Sequence, residues 1–358
     1  MRAVVKIRSF VERYQHSLSI GAFLVGFAVD TVLLKRIDLL LSNALLLTYL
    51  TVVTLSMLLL HRYASRAPQY EWGARTLEWV PFVAQFAFGG MFSGFLIFYS
   101  QAGSFVASWP FLTLIIGLLF ANEFLRSYQQ RLTYQSVLLF FCLFTFSIYA
   151  VPIVLGSMSA LIFELSGFVA LGLFAGFLAL LYLVDARRVR LSLASIVSGV
   201  LVVYALITAL YFSNILPPIP LALKDIGIYH FVERSGADYL AQSEVTTWHE
   251  RITGVTRRVP AGATLYAYSS VFAPTKLTTN IVHRWERYEG GAWVSASTIP
   301  FGISGGRDGG YRGYSERVVT PGLWRVSVET GRGQLIGREE FRVVEVSSTP
   351  HLTTRILR

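Results

Sequence analysis

The chain has 358 residues, of which 54% are hydrophobic and only 15% are charged, whereas about 25% are charged in a typical soluble domain. Residues 1–212 contain 14 basic and 8 acidic residues, and residues 213–358 contain 17 and 13, so the net charge of +10 is spread over both parts. Because the basic residues form no continuous tract, this charge argues against nucleic-acid binding and is typical of membrane orientation signals. The single cysteine, Cys142, excludes a disulfide within the chain and a thiolate metal cluster.

Seven apolar segments before residue 213 are interpreted as membrane-spanning helices, because about 20 residues at 1.5 Å of rise cross a ~30 Å hydrocarbon core. The first segment is short, contains Asp30 and has no signal-peptide cleavage site, so it is interpreted as a retained anchor. Pro217, Pro218 and Pro220 follow the last segment, and the chain is expected to leave the bilayer there in an extended form. The segments are Leu18–Leu34, Leu39–Leu60, Trp79–Tyr99, Phe105–Phe124, Tyr134–Leu155, Ala160–Val184 and Leu193–Phe212.

The basic residues of the loops predict how these helices are oriented. With a cytoplasmic N-terminus, the inside segments contain twelve Lys and Arg residues, and the outside loops contain two, Lys35 and Arg36. This asymmetry favours seven crossings from a cytoplasmic start. An odd number of crossings places residues 213–358 on the far side of the membrane, which in a bacterium is the periplasm.

Four polar residues in the apolar segments are candidates for an intramembrane site: Asp30, Asn43, Glu123 and Glu164. A charged side chain at the bilayer centre costs on the order of 2.5–3.5 kcal/mol on insertion scales, so it normally has a partner. Asp30 and Glu164 fall toward the predicted outer side, and Glu123 falls at the inner end beside Asn122. These residues predict either a polar pocket open to the periplasm or interfacial salt bridges that fix helix packing.

Two Gly-x-x-x-Gly pairs, Gly90 with Gly94 and Gly172 with Gly176, are spaced for close contact between membrane helices. The contact is either within the bundle or between two copies of the chain, and the sequence does not decide the oligomeric state. Transporters tend to repeat one helical arrangement in two halves. No clear internal repeat is found here, so the sequence gives transport no direct support.

The rest of the chain is predicted as a proline-stiffened exit and connector over residues 213–254, followed by a soluble β-domain over residues 255–358. Trp324, Val326 and Val328 alternate with polar residues, which is the pattern of a half-buried antiparallel strand. Six or seven such strands, separated by glycine-containing turns, predict a small immunoglobulin-like β-sandwich after the seven-helix transmembrane bundle. The candidate strands are Thr264–Phe272, Ile281–Glu289, Trp293–Pro300, Tyr311–Val319, Leu323–Glu329 and Gln334–Val346.

Five distinctive motifs occur after the last apolar segment. They are ILPPIPLALKDIGIYH (215–230), HRW (283–285), GGRDGGYRGYSER (305–317), PGLWRVSVETGRGQLIG (321–337) and Phe341. Together they resemble a family of bacterial membrane proteins that end in a small domain of unknown function. The resemblance covers roughly residues 215–345, and over the helices only the layout is similar. It implies a bacterial envelope protein with an all-β tail, and it brings neither an activity nor catalytic residues.

A glycine-rich loop between residues 302 and 313 contains Arg307, Asp308 and Arg312. Glycine lets backbone amides approach a ligand, and arginine binds anionic or sugar oxygens, so the loop is a candidate carbohydrate or phosphate site. It lacks the Lys-Ser/Thr pair of a nucleotide-binding P-loop. The alternatives are a protein contact and a long hairpin loop in which Asp308 pairs with an arginine.

His283 and Trp285 are two residues apart and therefore share one face of a predicted strand. With Trp293 and Trp324 they are a candidate stacking platform for sugars, although tryptophans in a small sandwich also fill the core. The six histidines have no metal-ligand spacing, so the sequence predicts neither a metal site nor a cofactor. Nucleophile and acid–base motifs are also lacking, and the sequence does not favour catalysis by the tail.

Two hypotheses for function follow. In the first, a protein of the bacterial inner membrane displays its β-domain in the periplasm, where the domain binds an envelope protein or glycan. In the second, the helices themselves act as a lipid-modifying enzyme or transporter, with the β-domain as an accessory. The lipid bilayer is the expected partner in both hypotheses, and nucleic acid is expected in neither.

Overall fold

Six helices occupy the first part of the chain among the residues that the computed structural model describes. Those residues are 27–34, 40–65, 71–102, 105–124, 131–236, 238–245, 254–275, 277–306, 309–348 and 350–357. The helices are α1 over residues 27–33, α2 (Leu40–Ser65), α3 (Glu71–Gln101), α4 (Phe105–Phe124), α5 (Leu132–Leu155) and α6 (Ala160–Phe212).

Within the described ranges, four helices are long and apolar enough to cross a membrane, whereas the sequence analysis predicts seven. They are Leu41–Tyr63, Val80–Gln101, Leu132–Leu155 and Ala160–Phe212. Three findings account for the difference. The apolar part of α4, Ala107–Asn122, is shorter than the others, most of Leu18–Leu34 lies outside the described residues, and the last two segments are both contained in α6.

Helix α6 has 53 residues and is interrupted at a single position. A straight helix of that length would measure roughly 80 Å, far more than a ~30 Å hydrocarbon core. Asp185 has the non-helical angles φ −147° and ψ 75°, and its Oδ1 accepts a hydrogen bond of 3.1 Å from the backbone N–H of Arg188. This is the bonding pattern of an N-cap, so a new helix begins after Asp185. The break falls between the predicted segments Ala160–Val184 and Leu193–Phe212.

The two Gly-x-x-x-Gly pairs have different surroundings. A Cβ atom added to Gly90 would lie 2.5 Å from the ring of Tyr49 on α2, and Gly94 is packed closely against a leucine of the same helix. The first pair therefore permits the close contact between α2 and α3. Around Gly172 and Gly176, apart from the local backbone of their own helix, no heavy atom of the described chain lies within 4 Å of the same position. The second pair is therefore not used for packing within the described bundle.

Eleven strands follow the helices in the described part of the chain. They are β1 (Ala222–Tyr229), β2 (Phe231–Ser235), β3 (Asp238–Ser243), β4 (Val255–Val259), β5 (Thr264–Phe272), β6 (Thr278–Glu289), β7 (Ala292–Ser304), β8 (Tyr311–Val318), β9 (Gly322–Thr330), β10 (Leu335–Glu345) and β11 (Thr353–Leu357). They form a three-stranded sheet β1-β5-β8, a five-stranded sheet β4-β10-β9-β6-β7 and a small sheet β11-β3-β2. The pairing is antiparallel except between β4 and β10, which are parallel.

The three-stranded and five-stranded sheets share a hydrophobic core. Leu265 and Ala267 of β5 belong to the same buried cluster as Trp285 of β6, Val326 of β9 and Phe341 of β10. A second cluster continues this core toward the end of β5. The predicted β-rich domain is therefore present, and the parallel β4–β10 pair and the third sheet add to the simple sandwich that the periodicity predicts.

The six strands predicted from alternation correspond to β5 through β10, with small shifts at their ends. The structure differs over the predicted connector, residues 213–254, because β1, β2 and β3 lie within it. Strand β1 pairs with β5 over the whole of its length, with Tyr229 opposite Tyr266. The β-rich domain therefore begins near Ala222 and not near residue 255.

The chain divides into two compact units. One comprises Met1–Phe98, Leu114–Phe146 and Val169–Val203, and the other comprises Tyr99–Thr113, Ser147–Phe168 and Tyr204–Arg358. The second unit therefore joins the β-rich domain to the ends of several helices. Every helix end in it belongs to the side that the sequence analysis assigns to the exterior.

Within this second unit, the β9–β10 hairpin rests on the end of α6. The Arg332 guanidinium lies 4.3 Å from the ring centroid of Tyr211, and the Asn214 Nδ2 donates to the Arg332 carbonyl over 3.4 Å. The Gln334 Nε2 donates to the Leu216 carbonyl over 3.3 Å. The proline-containing exit is therefore held against the domain by side-chain contacts.

Candidate functional site

The outward surface of the three-stranded sheet carries a group of aromatic side chains. Alternation along β5 directs Ala267 into the core and Tyr266 and Tyr268 to the opposite surface. The register pairs Tyr268 with Tyr314 of β8, so the two strands place their tyrosines on the same surface. A glutamate and an arginine extend that surface along β8, where Glu316 stands opposite Tyr266 and Arg312 stands opposite Ser270.

The small sheet covers part of this surface and adds two more rings. Val232, Ala241 and Leu357 pack with Tyr229 and Tyr268 in a buried cluster. Beside this cluster the aromatic surface is open, since 41% of Tyr314 and 39% of Phe231 are exposed to solvent. We call the rings of Phe231, Tyr239, Tyr266, Tyr268 and Tyr314 the tyrosine face.

Adjacent rings of the tyrosine face contact one another in sequence. Phe231 and Tyr266 have centroids 5.6 Å apart at an angle of 70°, and Tyr266 and Tyr314 are 6.0 Å apart at 46°. Tyr239 stands 6.2 Å from Tyr314 at 75°. The two central rings are thus tilted toward each other, and a steeply inclined ring adjoins each of them. Mutual contact restricts the motion of each ring, and such edge contacts are favourable for aromatic pairs.

Polar groups border the tyrosine face. The Arg312 Nη1 lies 3.3 Å from the Asp238 Oδ1, with the two side chains 20% and 43% exposed. The Tyr239 hydroxyl donates to the Arg312 carbonyl over 3.3 Å. At the other end, the hydroxyl of Tyr266 is hydrogen bonded to Glu316. Burial is the largest cause of the raised pKa of Tyr266, and this bond raises the pKa further. The border therefore offers both hydrogen-bond donors and acceptors.

The hydroxyl of Tyr268 is a buried polar atom for which the described residues provide no hydrogen-bond partner. Burial raises the pKa of Tyr268, with the charge of Arg312 acting in the opposite direction. Buried polar atoms in native proteins are almost always paired with protein or with ordered water. Tyr268 therefore belongs to the buried part of the tyrosine face, and its hydroxyl does not reach solvent.

This combination of groups is suited to a ligand with an apolar face and hydroxyl groups at its edge. Tyrosine presents a flat apolar ring with a polar tip, and the pyranose ring of a sugar has C–H groups on its faces and hydroxyls around them. Arginine and carboxylate side chains form strong, directional hydrogen bonds with such hydroxyls. The tyrosine face is therefore our candidate binding site.

The structure places the predicted stacking residues His283 and Trp285 in the core. Both side chains are 0% exposed. The His283 ring nitrogens lie 2.7 Å from the Ser269 Oγ and 2.9 Å from the Ser315 Oγ, and the Trp285 Nε1 donates to the same Ser315 Oγ over 2.9 Å. Burial lowers the pKa of His283 to about 4. These residues join the two sheets, as in the core-filling alternative, and they expose no ring to a sugar.

The other two tryptophans of the predicted platform are separated from each other. Trp324 is buried in the core, whereas Trp293 lies at the β6–β7 hairpin with the Arg325 guanidinium 4.3 Å from its ring centroid. The Arg325 Nε also donates to Glu286 over 2.6 Å. The structure therefore does not bring the four predicted platform residues together on one surface.

The glycine-rich loop contributes one of its predicted residues to the candidate site. Arg312 borders the tyrosine face, while Arg307 and Asp308 lie outside the described residues. The Gly305 N–H donates to the Leu277 carbonyl over 2.8 Å, and the Gly306 N–H donates to the Ala273 carbonyl over 3.1 Å. These two amides are therefore bonded to the connection between β5 and β6 and do not face a ligand.

Two of the four intramembrane candidates have partners on another helix or helix segment. The Tyr49 hydroxyl donates to the Asp30 Oδ1 over 3.3 Å, and the Tyr204 hydroxyl donates to the Glu164 Oε2 over 3.0 Å. Asn43 is half-buried on α2, and the side chain of Glu123 lies outside the described residues. Its neighbour Asn122 donates through its Nδ2 to the Gln85 carbonyl over 3.0 Å. Asp30 and Glu164 are thus each hydrogen bonded to a tyrosine.

Sequence reasoning missed most of the tyrosine face. Tyr266 and Tyr268 are separated by one residue within a predicted strand, which is a signal for two rings on one surface. Phe231 and Tyr239 belong to strands in the predicted connector, and their position depends on pairing that the local pattern does not show. Among the residues that the structure describes, no group of three His, Cys, Asp or Glu side chains is placed to hold a metal ion.

Comparison with known proteins identifies one family in the C-terminal region. Residues 278–343 match a family described as protein of unknown function (DUF2914). No curated protein matches the chain. Among solved structures, a β-glucosidase from Listeria innocua is similar with 11% identity and a TM-score of 0.20, over 32% of this chain and 17% of that one. The chain therefore spans about a sixth of the length of that enzyme.

A second solved structure is the alkylpurine DNA glycosylase AlkC from Pseudomonas fluorescens bound to DNA containing an abasic site analogue. It is similar with 13% identity and a TM-score of 0.20, over 87% of this chain and 99% of that one. At these TM-scores neither similarity carries an argument about fold or function.

Proposed function

We propose that the chain is a bacterial inner-membrane protein with seven crossings and a cytoplasmic N-terminus, which displays an immunoglobulin-like β-sandwich in the periplasm to bind an envelope glycan or protein. The tyrosine face carries this proposal and favours a glycan. Tyr268 is buried beneath the others, whereas Tyr314 and Phe231 remain open to solvent beside an arginine–carboxylate pair.

Three observations support the membrane part of the proposal. The described helices include four long apolar segments, and the break at Asp185 supports counting α6 as two crossings. The second compact unit groups the β-rich domain with helix ends that the loop charges assign to the outside. The match to a family of unknown function over residues 278–343 is compatible with these features.

The binding test uses the full-length protein in lipid nanodiscs, because sugar-based detergents would compete for a glycan site. The immobilised protein is probed with a defined array of bacterial envelope glycans and with purified cell-wall sacculi. We expect at least one glycan to bind, and Tyr314→Ala to weaken that binding by about tenfold, equivalent to about 1.4 kcal/mol. The physical reason is the loss of an exposed central ring.

Tyr288→Ala is the matched control. Tyr288 is 45% exposed, close to the 41% of Tyr314, but it lies on β6 in the other large sheet. We expect this variant to bind as the unmodified protein does. Equal losses in the two variants, or binding that survives Tyr314→Ala unchanged, would show that the tyrosine face is not the binding site.

A further inference from the structure

We infer that the tyrosine face selects a neutral saccharide with adjacent hydroxyl groups over anionic and cationic saccharides. The inference rests on the proposed function and names the chemical class of its ligand. It is carried by the distribution of charge around the rings and by the geometry of the Arg312–Asp238 pair.

Charged residues of both signs surround the tyrosine face. In the register of the three-stranded sheet, Asp225 and Arg312 both stand opposite Ser270, on either side of it. On the small sheet, Arg234 stands opposite Tyr239. Arg355 stands opposite Ala241 of the same sheet, so with Asp238 and Glu316 these are three acidic and three basic side chains. A border with mixed charges gives no strong field of either sign, so a charged ligand gains little from long-range attraction.

The Arg312–Asp238 pair offers a donor and an acceptor side by side. Their closest atoms are 3.3 Å apart, and both side chains remain partly exposed. Two hydroxyls on neighbouring carbons of a pyranose are separated by a similar distance, so one hydroxyl accepts from the guanidinium while the other donates to the carboxylate. An anionic group at this position would meet the Asp238 charge, and an ammonium group would meet the Arg312 charge. A neutral diol avoids both repulsions.

The aromatic rings also favour a neutral saccharide. Tyr266 and Tyr314, with centroids 6.0 Å apart, offer apolar area to the C–H groups of a sugar ring. Stacking of this kind buries apolar surface and does not depend on the ionic strength. Binding of a neutral sugar is therefore expected to be insensitive to salt, unlike binding through exposed ionic contacts.

The test compares four tetrasaccharides on the full-length protein in nanodiscs: a glucose tetramer, N-acetylated chitotetraose, a galacturonic acid tetramer and deacetylated chitotetraose. Affinities are measured by calorimetry at 50 and 500 mM NaCl. We expect a neutral tetramer to bind at least about tenfold more tightly than either charged one, with less than about a twofold change between the two salt concentrations.

Asp238→Asn provides the decisive variant, because it removes the negative charge beside Arg312 with little change in shape. We expect it to lower the affinity for the neutral tetramer and to raise the affinity for the galacturonic acid tetramer by several-fold. A merely structural role of Asp238 would not produce these opposite changes. Glu289→Gln is the matched control: Glu289 is an exposed carboxylate 2.7 Å from Arg287 in the other large sheet, and its replacement should leave all four affinities unchanged.

The outcomes separate the inference from the function on which it rests. Tighter binding of a charged tetramer, or salt dependence above about tenfold for the neutral one, overturns the inference and leaves a glycan-binding function standing. Binding of a protein ligand at the tyrosine face without any tetramer also overturns it. If neither glycans nor proteins depend on Tyr314, the proposed function fails as well.

Discussion

His283 is held in the core of the β-rich domain by two serine hydroxyls, where a charged imidazolium has no counter-charge among its contacts. Burial lowers its pKa to about 4, compared with about 6.5 for an ordinary histidine. Between these values the unfolded chain takes up a proton that the folded chain excludes. Folding stability is therefore complete above about pH 6.5 and falls as the pH drops toward 4, by on the order of 3 kcal/mol.

We expect this loss to appear as a lower unfolding midpoint of the full-length protein between pH 6.5 and pH 4, followed by tryptophan fluorescence. His283→Gln removes one titrating group and should reduce the pH dependence, whatever it does to the stability at neutral pH. His351→Gln replaces an exposed histidine and should keep the original dependence. A slope that survives His283→Gln would assign the effect to other groups.

At the residue scale, the sequence predicts which kinds of side chain form the site better than it predicts where those side chains lie. Arg312 is predicted as a ligand-binding residue and does border the candidate site, where Asp238 of the distant strand β3 is one of its partners. His283 and Trp285 were recognised as sharing a strand face, and which face is buried depends on the sheet that packs against it. Phe231 and Tyr239 come next to Tyr266 and Tyr314 only through pairing between distant strands, which local patterns do not encode.

Helix packing at the two glycine pairs gives a prediction for the helices. Gly90→Leu should destabilise the protein by roughly 1–3 kcal/mol or more, because the new side chain has to displace the ring of Tyr49. Gly172→Leu introduces the same side chain at the equivalent position of the second pair, where the space is open. It should leave the yield and thermal unfolding of the nanodisc-embedded protein close to those of the unmodified chain.

Equal destabilisation by the two leucine variants would contradict the packing described here. The comparison is informative because both positions are glycines inside apolar helices, so differences in helix propensity and in hydrophobicity cancel. The readout is folding, and it does not depend on the ligand of the β-rich domain.

At the element scale, periodicity was most informative where one side of a strand meets the core. Trp324 and Val326 alternate with polar residues, and β9 forms where it was predicted. The polar side of β9 is nevertheless largely covered, because ion pairs lie across it: the Arg325 Nε is 2.6 Å from Glu286 and the Arg284 Nε is 3.0 Å from Glu329. Alternation shows which residues are polar, and it does not show that they are exposed.

The sequence analysis does not predict strands β1 to β3, for a related reason. Strand β1 runs through Leu223, Lys224, Asp225 and Ile226 without a regular alternation, and its register with β5 shifts between Leu223 and Asp225. Its conformation is set by hydrogen bonds to a strand about 40 residues away and not by its own pattern. The apolar runs of the helices need no such partner, because length and hydropathy alone define them.

For the whole molecule, the proposed orientation predicts the compartment of the C-terminus. Alkaline phosphatase fused after Arg358 should be active, because it folds only after export, and green fluorescent protein at the same position should be dark. Fusions at Arg188, between the two halves of α6, should give the reverse pattern. A fluorescent C-terminal fusion would overturn the odd number of crossings on which the periplasmic assignment depends.

The contact between the β9–β10 hairpin and the end of α6 has a mechanical consequence. Arg332 is stacked on Tyr211, and Gln334 is hydrogen bonded to the Leu216 carbonyl. The β-rich domain is therefore held directly against the end of α6. A force on a ligand bound at the tyrosine face would therefore act on the end of α6 through these contacts.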